Sequence, residues 1–421
     1  MQKIILSFLL FLSVAISQAQ SNLNIETLWS SGRVAYRGEN ESKTKLFYSV
    51  SKPNINDNKN STKYYSVSLQ GTNLSEIASL PAKEKVNVAK DADNVQISPD
   101  GKKVIFSREV KLQKLHSTEL YPSLSKSNVY IYNDLNQRHW DTWEDGSYSH
   151  VFVADNVAGT ALREKDLMQN ELFDCPQKPF GGAEDMIWTP DSKNVLYVCK
   201  KKTGKEYALS TNTDFYVYNI ENGSTTNITE GMMGYDTHPV FSNYGKSLAW
   251  LSMKTDGFES DKNELWVMDW NTKNKINLTE NWDENVDDFV WSADDSKIYF
   301  SAPVHGTQQL FEIEISTKKL KQITTGMFNI AGLCMQNGNE MIVSRTDMNH
   351  AAELYNVNLN NGNMTQISHA NDAQYSKINM CEVRERYTEL EDGEQLFSWV
   401  IYPPNFDPNK KYPVLLYCQG G

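Results

Sequence analysis

Between Val95 and Phe106 the chain reads Val95-Gln96-Ile97-Ser98-Pro99-Asp100-Gly101-Lys102-Lys103-Val104-Ile105-Phe106, an apolar strand, a tight polar turn and a second apolar strand. The same pattern returns at residues 187–197, 240–250 and 290–300, and in degenerate form at 333–343. Pro99 fixes φ at the first turn corner and Gly101 accepts a positive φ, so the turn is written into the backbone chemistry. Asp100 is expected to cap that turn with its carboxylate rather than to bind a metal, because no liganding partner recurs at a fixed distance from it. A second mark is the alternating stretch Phe215-Tyr216-Val217-Tyr218-Asn219, echoed at residues 265–269, 310–314 and 354–358. A third closes each unit: Asn227-Ile228-Thr229, Asn277-Leu278-Thr279, Gln322-Ile323-Thr324 and Gln366-Ile367-Ser368.

The second and third marks keep step with each other. Tyr216, Trp266, Phe311 and Tyr355 are separated by 50, 45 and 44 residues, and so are Ile228, Leu278, Ile323 and Ile367. A period near 45 with several short strands per unit predicts one four-stranded propeller blade per repeat; a helical solenoid would need the 3.6-residue apolar pattern, which is absent. Six units can be counted, and the expected fold is an all-β propeller of about seven four-stranded blades, between six and eight, over residues 20–380. A further blade would have to come from the first ninety residues or be completed by residues 373–383. The second unit carries about thirty extra residues between Arg108 and Tyr148, including Arg138-His139-Trp140-Asp141-Thr142-Trp143-Glu144-Asp145-Gly146. An insertion of that length in a compact repeat points to function.

The pattern changes after Ser368. Residues 385–404 predict two strands around Asp392-Gly393, and Val414-Leu415-Leu416-Tyr417 reads as a strand buried on both faces, ending at Cys418-Gln419-Gly420-Gly421. At the other end, Lys3, the apolar run 4–16 and Ser17-Gln18-Ala19 predict a signal peptide over residues 1–19, hence export to a periplasm or the exterior. No later stretch approaches the roughly twenty apolar residues of a membrane span.

Composition narrows the function classes. The 421 residues are 39% hydrophobic, 11% aromatic and 22% charged, which excludes a disordered, collagen-like or coiled-coil chain. The formal net charge is −12, without long single-sign runs, which excludes a nucleic-acid binder working by phosphate neutralisation. Five cysteines (Cys175, Cys199, Cys334, Cys381, Cys418) with no C-x-x-C pair write neither a disulfide framework nor a zinc cluster, so no metal or cofactor is expected; a single Cys175–Cys199 bridge stays open.

The Ser98-Pro99-Asp100-Gly101 type of turn, the 138–146 insert and above all Tyr402-Pro403-Pro404 to Gly421 resemble secreted bacterial serine peptidases of the prolyl oligopeptidase family, in the dipeptidyl peptidase V and acylaminoacyl peptidase branch. The resemblance implies an N-terminal substrate-gating propeller followed, from residue 381, by the opening strands of an α/β-hydrolase domain. It places Gln419 and Gly420 at the oxyanion hole, where relatives often carry Tyr or His at the Gln419 position. The nucleophile elbow G-x-S-x-G is not found in these 421 residues, so the catalytic Ser, Asp and His are expected to be missing and this chain inactive alone. The partners implied are a peptide substrate and the rest of a hydrolase domain, with a homodimer of the intact protein left open.

Removing dipeptides requires capture of a free α-amine, for which acidic side chains are the physical means. Trp143-Glu144-Asp145 in the insert is the first candidate and Glu184-Asp185 the second, each against the alternative of a solvated acidic turn. Trp140 and Trp143 are candidates for lining a pocket for the second peptide residue, against ordinary blade packing. Two rival readings are a non-enzymatic periplasmic binding propeller of the TolB type, and a propeller lyase or glycosidase using Asp287 and Asp288.

Overall fold

The computed structural model describes residues 21–418 except Lys83, Asn136 and Trp140; the expected signal peptide, Trp140, Gln419 and Gly420 therefore lie outside the described residues. Six four-stranded antiparallel sheets follow one another along the chain, the number of repeat units counted and the lower limit of the expected range. Their strands run from Arg33–Glu39 in blade 1 to Met364–Gln366 in blade 6. No seventh blade forms among the described residues: residues 373–383 contribute the end of a short helix, Asp372–Tyr375, and the two-residue strand Ile378–Asn379.

Each blade starts at the channel and works outward. The first strands of blades 2, 3 and 4 (Asp93–Ile97, Met186–Trp188 and Asp236–Phe241) share a cavity of about 390 Å³. Second strands such as Asn194–Cys199 and Ser247–Ser252 are buried almost throughout, because neighbouring blades cover both faces; that is why they read as unbroken apolar runs. Apolar clusters join blade 2 to 3, 3 to 4, 4 to 5, 5 to 6 and 6 to 1. A sixth is formed by blade 2 and the segment 86–92 leading into it.

The sequence marks have distinct structural jobs. In the first, Asp100 accepts from Ser98 Oγ at 2.7 Å and from the Lys102 N–H at 3.1 Å, the expected cap; Asp191 and Asp294 repeat it. In the third, the closing hydroxyl returns to the third strand of its own blade. Thr229, Thr279, Thr324 and Ser368 accept the backbone N–H groups of Phe215, Leu265, Leu310 and Leu354 at 2.8–2.9 Å.

Among the described residues no strand is shared between blade 1 and blade 6, so the ring closes on their common apolar cluster, on side-chain hydrogen bonds and on a two-residue backbone ladder. Asn371 Nδ2 donates to the Gly32 carbonyl at 2.9 Å, and the Gly32 N–H donates back to Asn371 Oδ1 at 2.7 Å. Asn356 reaches the Leu69 carbonyl, and Ser21–Asn22 pairs in parallel with Ile378–Asn379.

Antiparallel order sorts the connections into two ends. The strand 1–2 and 3–4 turns lie at one, the turn end; the strand 2–3 loops and the links between blades lie at the other, the loop end. The hairpin Glu382–Glu389/Gln395–Tyr402 forms around Asp392-Gly393 as expected, and it sits at the loop end. Tyr387 meets His305, Gly306 lies against Phe397 and Trp399, and Asn349 Nδ2 donates to the Cys381 carbonyl at 2.8 Å. Residues 414–417 form no strand. Val414, Leu415, Leu416 and Tyr417 are 89%, 98%, 87% and 82% exposed, because no neighbouring strand offers their backbone a ladder.

All five thiols are free, so the Cys175–Cys199 bridge is not formed; both lie in the apolar cluster between blades 2 and 3, where burial pushes their pKa values up. Among the described residues no helix is long and apolar enough to cross a membrane.

Candidate functional site

The blade 2 insert leaves the second strand Lys103–Lys111 and returns at the third, Ser147–Val157, so it stands at the loop end. It is held in three places. Gly146, at φ 89°, presents its carbonyl to the N–H groups of Leu112 and Gln113; a side chain at residue 146 would strike the Gln113 carbonyl. The short helix Ser117–Leu120 is capped by His116, with the Glu119 carboxylate returning to the His116 N–H. Asp134 accepts the Gly204 N–H at 3.1 Å and so ties the insert to blade 3.

Between insert and blade 3 lies a cavity of about 220 Å³ whose walls include Tyr132, Asp134, Glu144, Tyr148, Asp174 and Tyr207. Its three carboxylates are in different states. Asp134 is occupied by backbone N–H groups. Asp174, almost wholly buried, accepts the Ser149 N–H at 2.7 Å and pairs with Lys178 Nζ at 3.1 Å; burial raises its pKa against that pairing. Lys178 also holds Glu109 at 2.9 Å. The Glu144 carboxylate has no hydrogen bond or ion pair among the described residues, and burial, then the nearby Asp174 charge, pushes its pKa up. Its backbone is fixed all the same, because Tyr132 donates to the Glu144 carbonyl at 2.8 Å.

The other expected residues are placed differently. Asp145 is an exposed turn cap: its carboxylate accepts the Ser147 N–H at 2.7 Å, and although partial burial raises its pKa, the Ser147 bonds hold it below the ordinary aspartate value. Trp143 is 56% exposed, stacked on Tyr132 and lying beneath Arg138, so it does not line the Glu144 cavity. Glu184 is exposed at the channel cavity with Gln96, Trp188 and His238, so Glu144 and Glu184 belong to separate cavities. Asp185 is buried, accepts the Gln177 N–H at 2.8 Å, and is raised by burial to about 7. Asp287 is bonded to Asn285 and to Gln308, whereas Asp288 faces His238 at 4.0 Å and is raised by burial; the two neighbours have different partners and do not form a working pair.

The sequence reading missed Asp174, Tyr148 and Tyr207. Asp174 lies in the link from blade 2 to blade 3, Tyr148 in the third strand of blade 2 and Tyr207 in the short helix Gly204–Leu209, and only the i, i+4 spacing of Asp174 and Lys178 hinted at a pair.

The assembled site presents a carboxylate without a hydrogen-bond or ion-pair partner among the described residues, in a cavity lined by Tyr132, Tyr148 and Tyr207 as well as Lys202, which suits a cation with N–H donors. His150, His350 and His369 each pair with an aspartate, and His116 Nδ1 meets Thr118 Oγ1 at 2.7 Å in the cap of its short helix. No three His, Cys, Asp or Glu side chains converge as a metal site among the described residues.

Residues 188–378 match the family model described as the TolB beta propeller domain. The chain is 41% identical over 324 residues to dipeptidyl-peptidase 5 of Porphyromonas gingivalis, covering 77% of this chain and 47% of that protein. It is 36% identical to dipeptidyl-peptidase 5 of Porphyromonas endodontalis, covering 77% and 46%. The chain thus spans about half the length of the curated relatives it matches. Among solved structures it resembles an acylaminoacyl peptidase of Pyrococcus horikoshii at TM-score 0.66 and 14% identity, over 92% of this chain and 60% of that one. These findings bear out the resemblance to propeller peptidases of the prolyl oligopeptidase family.

Proposed function

We propose that this chain is the substrate-gating propeller of an exported serine exopeptidase that removes dipeptides, with Glu144 receiving the free α-ammonium of the peptide. The observation that carries the reading is the Glu144 carboxylate: it is the acid of its cavity left without an internal partner, on the propeller end that also carries the C-terminal hairpin. The 41% identity to a dipeptidyl-peptidase supports the reaction class. In this reading a hydrolase domain covers the hairpin and the apolar run 414–417, and supplies Ser, Asp and His; the oxyanion-hole role of Gln419 and Gly420 belongs to that assembly. The 421-residue chain alone binds peptide without cleaving it.

A binding propeller with no catalytic partner is the second reading, favoured by the TolB propeller match over residues 188–378. The exposed apolar run at 414–417 counts against it, since a pure binding module gains nothing from it.

Calorimetric titration with Ala-Ala amide and its N-acetyl form tests the amine site. The free amine is expected to bind at least ~10-fold more tightly than the acetylated peptide, and Glu144→Gln to remove that preference, as loss of a charge-assisted hydrogen bond requires. Equal binding of the two peptides, or a preference that survives Glu144→Gln, overturns the reading.

A further inference from the structure

The buried second strand of blade 3 ends at Cys199, and the next three residues, Lys200-Lys201-Lys202, diverge. Lys201 Nζ pairs with Glu171 at 2.6 Å and donates to Tyr197 Oη at 3.2 Å. Lys202 lines the Glu144 cavity. Lys200 is half-buried with Nζ 4.2 Å from the centre of the Tyr207 ring, and it forms no hydrogen bond or ion pair among the described residues. Burial lowers its pKa, while Asp256 and Glu259 act in the opposite sense from a distance.

Lys200 opens onto a second cavity, of about 330 Å³, with walls that include Lys178, Phe180, Lys200, Tyr207, Tyr235 and Met253. Tyr207 is the wall this cavity shares with the Glu144 cavity. Several other donors on its walls are engaged: Lys178 holds Asp174 and Glu109, Gln177 Nε2 donates to the Asp174 carbonyl, and Thr213 Oγ1 donates to the Asp236 carbonyl at 2.6 Å. Thr211 Oγ1 accepts the Gly257 N–H at 3.0 Å and keeps its own proton to donate beside Lys200. Glu259 stands exposed at the rim and makes no ion pair with Lys200. A cation drawn partly out of water against an aromatic ring, with no anion in ion-pair range among the described residues, lacks part of the compensation that charged groups of folded proteins normally find. Cation–π attraction to Tyr207 offsets only part of that loss.

We propose that this second cavity is a carboxylate subsite, in which Lys200 Nζ donates to an anionic group of the same peptide whose α-ammonium rests on Glu144. The inference rests on the Glu144 reading and adds a specificity to it: peptides that carry a carboxylate close to their free amine are preferred. Two sources share that chemistry, an acidic side chain at the second residue and the terminal carboxylate of a short peptide.

The test is titration of the protein with four peptides: Ala-Glu amide against Ala-Gln amide, and Ala-Ala-Ala free acid against its amide. Wild type, Lys200→Met and Lys200→Arg are compared, with melting curves to show that each variant is folded. Wild type is expected to prefer one acid over its neutral partner by about 10-fold, the effect of one hydrogen bond to a charged group. Lys200→Met removes that preference and leaves neutral-peptide affinity within about 2-fold, whereas Lys200→Arg retains it. A preference in the first pair identifies the side chain as the source, and one in the second pair the terminal carboxylate. Neutral peptides that bind with no acid preference in either pair sink this inference and leave the Glu144 reading standing. So does an acid preference that persists in folded Lys200→Met. Failure of all four peptides to bind wild type overturns both.

Discussion

The two ends of the propeller use the same acidic residues to opposite effect. At the turn end, Asp100, Asp155, Asp269, Asp294 and Asp295 each meet donors from their own turn or a neighbouring strand, and every one is held below the ordinary aspartate pKa; Ser292 and Ser296 bring Asp294 to about 2. At the loop end, Glu144, Asp174, Asp185, Asp236, Asp288 and Glu353 are all pushed upward, with burial the largest cause in each. The loop end is not uniform, for Asp145, Asp256 and Asp261 cap loops there and are lowered by local N–H and hydroxyl bonds. What separates the two behaviours is the supply of donors within a few residues. A carboxylate satisfied by its own turn is finished as a structural part; one desolvated without such donors keeps its capacity for a proton, a lysine or a ligand.

That contrast predicts unequal responses to mutation. The largest loss at a fixed pH is expected at Lys178, which stabilises Asp174 in the interior: Lys178→Met leaves a buried charge uncompensated and is expected to cost about 3 kcal/mol in urea unfolding. Adding Asp174→Asn should recover most of the loss, and a double variant no more stable than the single one would break the argument. Next comes Asp236, fully buried, with Trp250 Nε1 donating to Oδ1 at 3.0 Å, Oδ2 without a partner, and a pKa raised by burial to about 7. The folded chain retains a proton there that the unfolded chain, titrating near 4, gives up. Stability from this group is therefore complete below pH 4 and is lost as pH rises through about 7. Replacement Asp236→Asn should remove a fall in unfolding free energy on the order of 4 kcal/mol between pH 4 and 8; an unchanged slope would place the proton elsewhere. The smallest effect belongs to the turn end. Asp294→Ala should cost less than about 1 kcal/mol in thermal unfolding near neutral pH. Its lowered pKa reverses the sign, so the contribution is present above pH 4 and fades as pH falls toward 2. A larger loss for Asp294→Ala than for Lys178→Met would erase the distinction between the ends.

Most of the propeller could be read in the sequence because its determinants are local and repeat. The Ser-Pro-Asp-Gly turn, the alternating third strand and the closing Asn-Ile-Thr each make bonds within one blade, so each copy carries its own instructions. The candidate site was legible to the level of the segment and not of the side chain. Glu144 and Asp145 are adjacent and both acidic; the Ser147 N–H two residues on makes one a cap, while burial, followed by the charge of Asp174 thirty residues away, pushes the pKa of the other up. Trp143 stacks on Tyr132 at the surface, and Glu184 turns toward the channel because Ala183–Asp185 forms a 3-10 turn there. Lys200 carried no mark at all, since its isolation becomes visible only when Lys201 finds Glu171 and Tyr207 crosses above it.

The closure of the ring by Asn371, Gly32 and the two-residue ladder at Ser21–Asn22 also has a mechanical side. The described chain enters and leaves the ring at one clasp, so tension applied between residues 21 and 379 loads that clasp before any blade. Stretching a single molecule across those two points should open the seam between blades 1 and 6 at low force. The blades would then peel away from both ends in steps of roughly one repeat each, like beads leaving a bracelet whose catch has been released.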